Sequence, residues 1–191
     1  LPSLSLNYSL GDLAWKGMGG RSAFSVYSEY TRFESNPLLT GQTNGERAMA
    51  VASLSHRFQT PGWFVEPRAR LHTTQYNFDQ PLANGQRSAS RTLPTVSLDS
   101  GMFFERDASY FGRAFTQTLE PRAFFTWTPY RDQSLLPNYD SGATDFNLAT
   151  IYSENVFTGN DRISDTRAVT LGVCSPLLDP GSGAGIVRLG V

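Results

Sequence analysis

Glu66, Arg68, Arg70 and His72 stand two residues apart in the run Glu66-Pro67-Arg68-Ala69-Arg70-Leu71-His72. Side chains on a strand alternate between faces, so this spacing gathers all four on one side. Trp63, Val65, Pro67, Ala69 and Leu71 then fall on the other. Two guanidinium forks on one polar face suit phosphate, whose oxygens an arginine can bind two at a time. The same groups equally suit the wall of a water-filled space, where charges pair across neighbouring strands. Glu120 and Arg122 repeat the arrangement, because Glu120-Pro121-Arg122-Ala123 is the string Glu66-Pro67-Arg68-Ala69 again. Both readings apply there too.

Other chemistry finds little support. His56 and His72 make a poor metal set, and the single cysteine, Cys174, excludes an internal disulfide and a cysteine zinc site. No metal and no cofactor is expected. Ser, His and Asp all occur, but no nucleophile elbow frames a serine, so no catalytic residue is assigned and no enzyme is expected. With 16 basic and 17 acidic residues the net charge is −1, which argues against nucleic acid as a partner.

The elements that carry these residues read as long strands. From Phe111 to Trp127 the odd positions run Phe, Arg, Phe, Gln, Leu, Pro, Ala, Phe, Trp, and the even ones, Phe124 apart, are small, hydroxylated or charged. Such a strand, apolar on one side and polar on the other, suits a wall between lipid and water. Alternation also marks residues 2–10, 20–34, 46–59, 63–78, 91–105, 167–178 and 186–191. Short turns are expected at 11–19, 60–62, 106–109 and 179–184, and longer loops at 35–45, 79–90 and 129–165. Connections sorted by length in this way belong to an up-and-down barrel in a membrane, with short turns on one side and long loops on the other. Several runs exceed the ~9–11 tilted residues that span a bilayer. No apolar run approaches the ~18–20 residues of a spanning helix. The predicted fold is therefore all-β: an antiparallel up-and-down transmembrane β-barrel segment, about eight strands of a larger barrel, open if isolated. Residues 1–191 are taken as part of one barrel domain. The strand-like sequence at both ends suggests a piece of a longer chain, and the alternation over residues 1–10 leaves no room for a signal peptide.

Trp63, Phe103, Phe104, Trp127 and Tyr130 lie near strand ends, as aromatic girdles do. Residues 145–155, with Phe146, Ala149, Ile151 and Tyr152, fit a short amphipathic helix. Pro67, Pro94 and Pro121 conflict with continuous ladders, since proline has no N–H to donate. Either the strands bulge there, or pairing is incomplete near strand starts.

Six strings have a further meaning. They are Arg91 to Gly101 (Arg-Thr-Leu-Pro-Thr-Val-Ser-Leu-Asp-Ser-Gly), Leu119-Glu120-Pro121-Arg122-Ala123, Pro129-Tyr130-Arg131-Asp132-Gln133-Ser134, Leu136-Pro137-Asn138-Tyr139-Asp140, Asp161-Arg162-Ile163-Ser164-Asp165 and Thr170-Leu171-Gly172-Val173. Together they resemble a central segment of the barrel domain of the lipopolysaccharide-assembly protein family LptD. The resemblance implies an integral protein of the Gram-negative outer membrane that delivers lipopolysaccharide to the outer leaflet. Its implied partners are the lipoprotein plug LptE, the LptA bridge docked on an N-terminal jellyroll that is not present here, lipopolysaccharide and outer-membrane lipid. Glu66, Arg68, Arg70, His72, Glu120 and Arg122 are then candidates to face the lumen. Tyr130, Arg131, Asp132 and Gln133 open a candidate extracellular loop that folds back and closes it. The alternatives are a generic outer-membrane porin, which would oppose a constriction loop to the Arg68–Arg70 ladder, or a barrel enzyme. A soluble sandwich would have shorter strands and unsorted loops.

Overall fold

The computed structural model describes residues 2–13, 19–82, 84–145, 147 and 150–190. They form nine strands and one short helix: β1 Ser3–Leu13, β2 Arg21–Phe33, α1 Pro37–Thr40, β3 Gly45–Thr60, β4 Trp63–Phe78, β5 Ser88–Met102, β6 Phe104–Tyr110, β7 Arg113–Thr128, β8 Thr166–Leu178 and β9 Gly185–Gly190. The strands make one antiparallel sheet in the order β1-β2-β3-β4-β5-β7-β8-β9, with β6 beside β7. This is the all-β, up-and-down sheet that the alternation predicts, open at both edges as part of a barrel is. β5 and β6 keep one register against β7, with Gly101 opposite Arg122 and Phe104 opposite Leu119. They are a single long strand interrupted at Phe103, so the nine segments make eight wall strands. Among the described residues no helix is long and apolar enough to cross a membrane.

Some boundaries differ from the sequence reading. The stretch 106–109 is not a turn but the body of β6. The bend comes at Phe111 and Gly112, whose φ angles of 54° and 75° are the left-handed pair of a type I′ hairpin. The polar run Glu105-Arg106-Asp107 imitates turn composition, while the glycine marks the actual bend. β1 continues through Leu13, beyond the expected turn start. Trp15 and Met18 lie outside the described residues. β5 begins at Ser88, so the preceding loop is shorter than 79–90. No helix forms in 145–155 among the described residues: Asn147 O accepts the N–H groups of Thr150 and Ile151, and Thr150 O accepts that of Ser153. Phe146 and Ala149 lie outside the described residues.

The alternation sorts side chains cleanly between two faces. One is bare and apolar: Leu4 is 74% exposed and Leu171 73%, in company with Leu98, Phe125, Trp127 and Val169. The other is covered by residues 129–165, which fold back across β3, β4 and β5. The packed core lies there, where Tyr76 and Phe78 of β4 meet Leu136 of the loop. Phe33 stacks on Tyr139 at 4.1 Å between ring centroids.

Prolines mark lapses in the ladders. β3–β4 pairing runs to Ser55↔Arg68 and resumes at Phe58↔Val65, skipping the residues that face Glu66 and Pro67. β7 loses its pairing at Glu120 and Pro121, between Gly101↔Arg122 and Phe104↔Leu119. The two Glu-Pro-Arg-Ala strings thus occupy equivalent breaks, each toward the preceding strand. Pro94 pairs with Leu71 on β4, and β7 has ended before it could reach Pro94 on the other side. No ladder there needs the missing N–H.

Candidate functional site

The loop-covered face carries two tiers of charged residues. In the tier nearer the loop ends, Arg47 of β3 is 2% exposed and contacts three carboxylates: Glu29 of β2 at 2.8 Å, Asp140 at 2.7 Å and Asp161 at 2.8 Å. Asp161 comes from the loop and is wholly buried. Its Oδ1 also accepts the Tyr76 hydroxyl at 2.7 Å, and its Oδ2 accepts the backbone N–H groups of Tyr139 and Asp140 at 2.6 and 2.8 Å. A buried carboxylate is tolerated when such donors surround it. Burial pushes the Asp140 carboxyl upward, but the Arg47 guanidinium and the Asn160 N–H outweigh this and hold it at about 2. Burial and the neighbouring Asp161 raise Tyr139 to about 12.

Arg91 of β5 binds the same loop through its backbone. Its guanidinium donates to Asp161 O at 2.6 Å, to Asn160 O at 2.9 Å and to Gln133 Oε1 at 2.6 Å. Gln133 in turn donates to Ile163 O at 2.7 Å, and Arg162 donates to Gln133 O and Leu136 O. Both ends of the loop are therefore tied to each other as well as to the sheet.

The second tier lies nearer the short turns. Glu66 accepts from Arg57 at 3.0 Å and from Arg68 at 2.7 Å. Glu154 of the loop reaches Arg70 at 2.9 Å and Arg68 at 3.7 Å, and accepts the Ser97 hydroxyl at 2.6 Å. Asp99 and Arg122 form a two-pronged pair at 2.9 and 2.7 Å, and the Arg122 guanidinium lies 4.2 Å from the centre of the Tyr152 ring. Between this tier and the loop is a polar cavity of about 340 Å³, lined by Glu66, Arg68, Arg70, Asp99, Arg122 and Glu154 among others.

All six stripe residues stand on this face, but they do not act as one group. Glu66, Arg68, Arg70 and Arg122 ring the cavity. Glu120 lies farther toward the turns, accepting the Thr118 hydroxyl at 2.9 Å and sitting 4.0 Å from Arg188. His72 sits beneath the loop beside Asn155 and Ile163, around a void of about 40 Å³, and makes no hydrogen bond among the described residues. His56 is on the opposite face, bonded to Ser22 Oγ and Gly19 O, so the two histidines cannot share an ion. No group of three metal-ligating side chains occurs among the described residues. Cys174 is half-buried on the covered face, opposite Glu120.

Of the four residues that open the loop, only Gln133 holds it to the sheet. Tyr130 is 71% exposed, and Arg131 and Asp132 are exposed as well. Asp132 instead accepts the Ser134 N–H at 2.9 Å, which lowers its pKa. Besides Gln133, the residues that fasten the loop include Arg47, Arg70, Arg91, Asp140, Glu154 and Asp161. The two aspartates stood inside strings that carried the family resemblance, yet any Asp in polar loop sequence reads as solvated. Their burial depends on a contact with β3 that local pattern does not encode.

Comparison with known proteins agrees with this architecture. The family model LptD, LPS transport system D, matches residues 1–191. The LPS-assembly protein LptD of Polaromonas sp. (strain JS666) is 59% identical over 191 residues, which is 100% of this chain and 23% of that protein. That of Acidovorax sp. (strain JS42) is 56% identical over the same span, again 23% of its length. That of Ralstonia nicotianae is 42% identical over 194 residues, covering 99% of this chain. The chain spans under a quarter of the length of these relatives. Matched from end to end by the family model and by close relatives of the same name, the chain belongs to the LptD family.

Proposed function

We propose that this chain is a section of the barrel wall through which lipopolysaccharide reaches the outer leaflet of the Gram-negative outer membrane. The bare apolar face meets lipid, and the charged face lines a wet lumen. Residues 129–165 close that lumen on the side of the long loops. The observation that carries this reading is the loop pinned across the charged face by Arg47, Arg70 and Arg91, while the other face of the same strands is left uncovered and apolar. A soluble sheet would have to cover that face.

The chemistry at this section is passive. The stripe offers charges already paired with one another, which hydrate a surface and keep acyl chains off it. It makes and breaks no covalent bond. Guanidinium groups at Arg68, Arg70 and Arg122 are placed to meet lipopolysaccharide phosphates once Glu154 and the loop move away, since each is held by a carboxylate that phosphate can replace. The LptE plug would occupy the same lumen. The LptA bridge belongs to the jellyroll outside this chain. An open porin constriction keeps acidic loop and basic ladder apart across water, whereas here Glu154 touches Arg70 at 2.9 Å, which favours closure.

The test is site-directed photocrosslinking in cells, in the intact parent protein, at Arg68, Arg70 and Arg122 and at the alternate positions Ala69, Leu71 and Ala123. Crosslinks from the first set to lipopolysaccharide or a lipoprotein, with crosslinks from the second to phospholipid, support the reading. The reverse pattern, or none from the first set, removes it.

A further inference from the structure

Among the described residues, β6 pairs on a single side although its neighbours on both sides are in the chain. β4 covers the β5–β6 strand only as far as Met102, opposite Trp63, because the chain turns at Pro61 and Gly62. The last bond on this side is Phe103 N–H to Gly62 O at 2.8 Å. From Phe104 to Tyr110 the strand runs on, paired with β7 alone. At ~3.3 Å per residue the uncovered edge is about 23 Å long.

The hairpin fixes the direction of its backbone groups. A two-residue hairpin closes on a hydrogen-bonded pair, here Tyr110 and Arg113, so Tyr110 points its N–H and C=O at β7. Alternate residues point the same way, which leaves Glu105, Asp107 and Ser109 aimed at the free edge. The bond from Phe103 toward Gly62, on the β4 side, fits this parity. Glu105 and Asp107 also share one face of the strand, and among the described residues neither makes an ion pair. Their neighbours Arg106 and Tyr110 are engaged with Gln117 on the other face.

We propose that this edge is a docking site for an extended, basic segment of a partner polypeptide, which adds to β6 as a further antiparallel or parallel strand. Backbone bonds to Glu105, Asp107 and Ser109 supply the fit, and Lys or Arg at alternate positions meets the two free carboxylates. The occupant comes from outside the barrel wall, since β4 is already the neighbour on this side and its hairpin ends short of the edge. The site lies at the short-turn end, away from residues 129–165, and is independent of the reading given above.

A fluorescein-labelled peptide of alternating Lys and Thr, titrated against the purified full-length protein, tests this. We expect binding on the order of tenfold tighter than for the same peptide with Pro at every second Thr. Asp107→Pro removes an edge N–H without touching the β7 ladder and should abolish the difference. If that variant loses the heat-modifiable migration of a folded barrel, Glu105→Lys with Asp107→Lys carries the test by abolishing binding. Equal binding of the proline peptide, or full binding by the variants, overturns the proposal and leaves β6 as an edge blunted by charge. A photocrosslinker at Ser109 in cells identifies the source. A crosslink to a second polypeptide through a segment of alternating basic residues, lost on charge reversal, supports a partner. A crosslink closed within the same polypeptide overturns it.

Discussion

Arg47 and Asp161 are 114 residues apart in sequence and 2.8 Å apart in space, each sealed from solvent by the other's segment. Removing one member of such a pair leaves a buried charge short of a partner. Asp161→Asn should therefore weaken the attachment of the loop by about 2–4 kcal/mol, the lower end applying because Arg47 keeps Glu29 and Asp140. Hydrogen exchange in the full-length protein should show faster exchange at 138–163 with β3 and β4 unchanged. Single-channel recording should show larger or more frequent openings. Unchanged exchange in the loop would mean that Arg91, Arg47–Asp140 and Arg70–Glu154 suffice to hold it.

Asp140 makes the same attachment sensitive to acid. Its folded value of about 2 lies below the ~3.9 of an unfolded aspartate, so its contribution is complete above about pH 4 and lost as pH falls toward 2. Because the carboxyl is partly exposed, the contribution is about 1–2 kcal/mol after solvent screening. A nitroxide at Asn138 should gain mobility across that interval, and Asp140→Asn should show the acid-state mobility already at neutral pH. A transition centred near pH 6 instead would point to a histidine.

Arg70 and Glu154 supply a third test, since their pair bridges sheet and loop with the carboxylate mostly buried. A double-mutant cycle of Arg70→Gln and Glu154→Gln should give a coupling of about 1–2 kcal/mol, above the ~0.2–1 kcal/mol of exposed pairs. Coupling near zero would show that the Ser97 hydroxyl, not the arginine, holds Glu154.

Much of this architecture is legible in the sequence, because period-two alternation assigns each wall residue to a face without knowledge of its neighbours. That is why Glu66, Arg68, Arg70 and His72 fall together on one face and Trp63 and Leu71 on the other. The fastening of the loop is not legible in the same way. Whether Asp161 is solvated or buried depends on where residue 161 meets residue 47, and nothing within a few residues of either states it. The bend at Phe111–Gly112 is hidden for a different reason. Charged residues in β6 face open solvent along an uncovered edge, so they carry the composition of a turn while adopting the conformation of a strand.

Gly101 and Phe64 meet within the sheet. They are register partners on β5 and β4, and a Cβ at Gly101 would lie 2.6 Å from the Phe64 ring. The ring cannot simply retreat. The Arg57 guanidinium lies 4.4 Å from its centre, and Phe103 flanks it at 6.0 Å between centroids. Gly101→Ala therefore overpacks a site beside the break at Phe103, where the β5 ladder is already interrupted, and should cost about 1–3 kcal/mol. Phe64→Leu removes ring atoms at the point of collision, so the double variant should recover most of that loss. Thermal unfolding of the full-length barrel followed by heat-modifiable migration reads both. A Gly101→Ala barrel as stable as the parent would mean that the strand shifts at Phe103 to make room, and the interruption would then be a compliant joint in the wall, not a fixed feature of it.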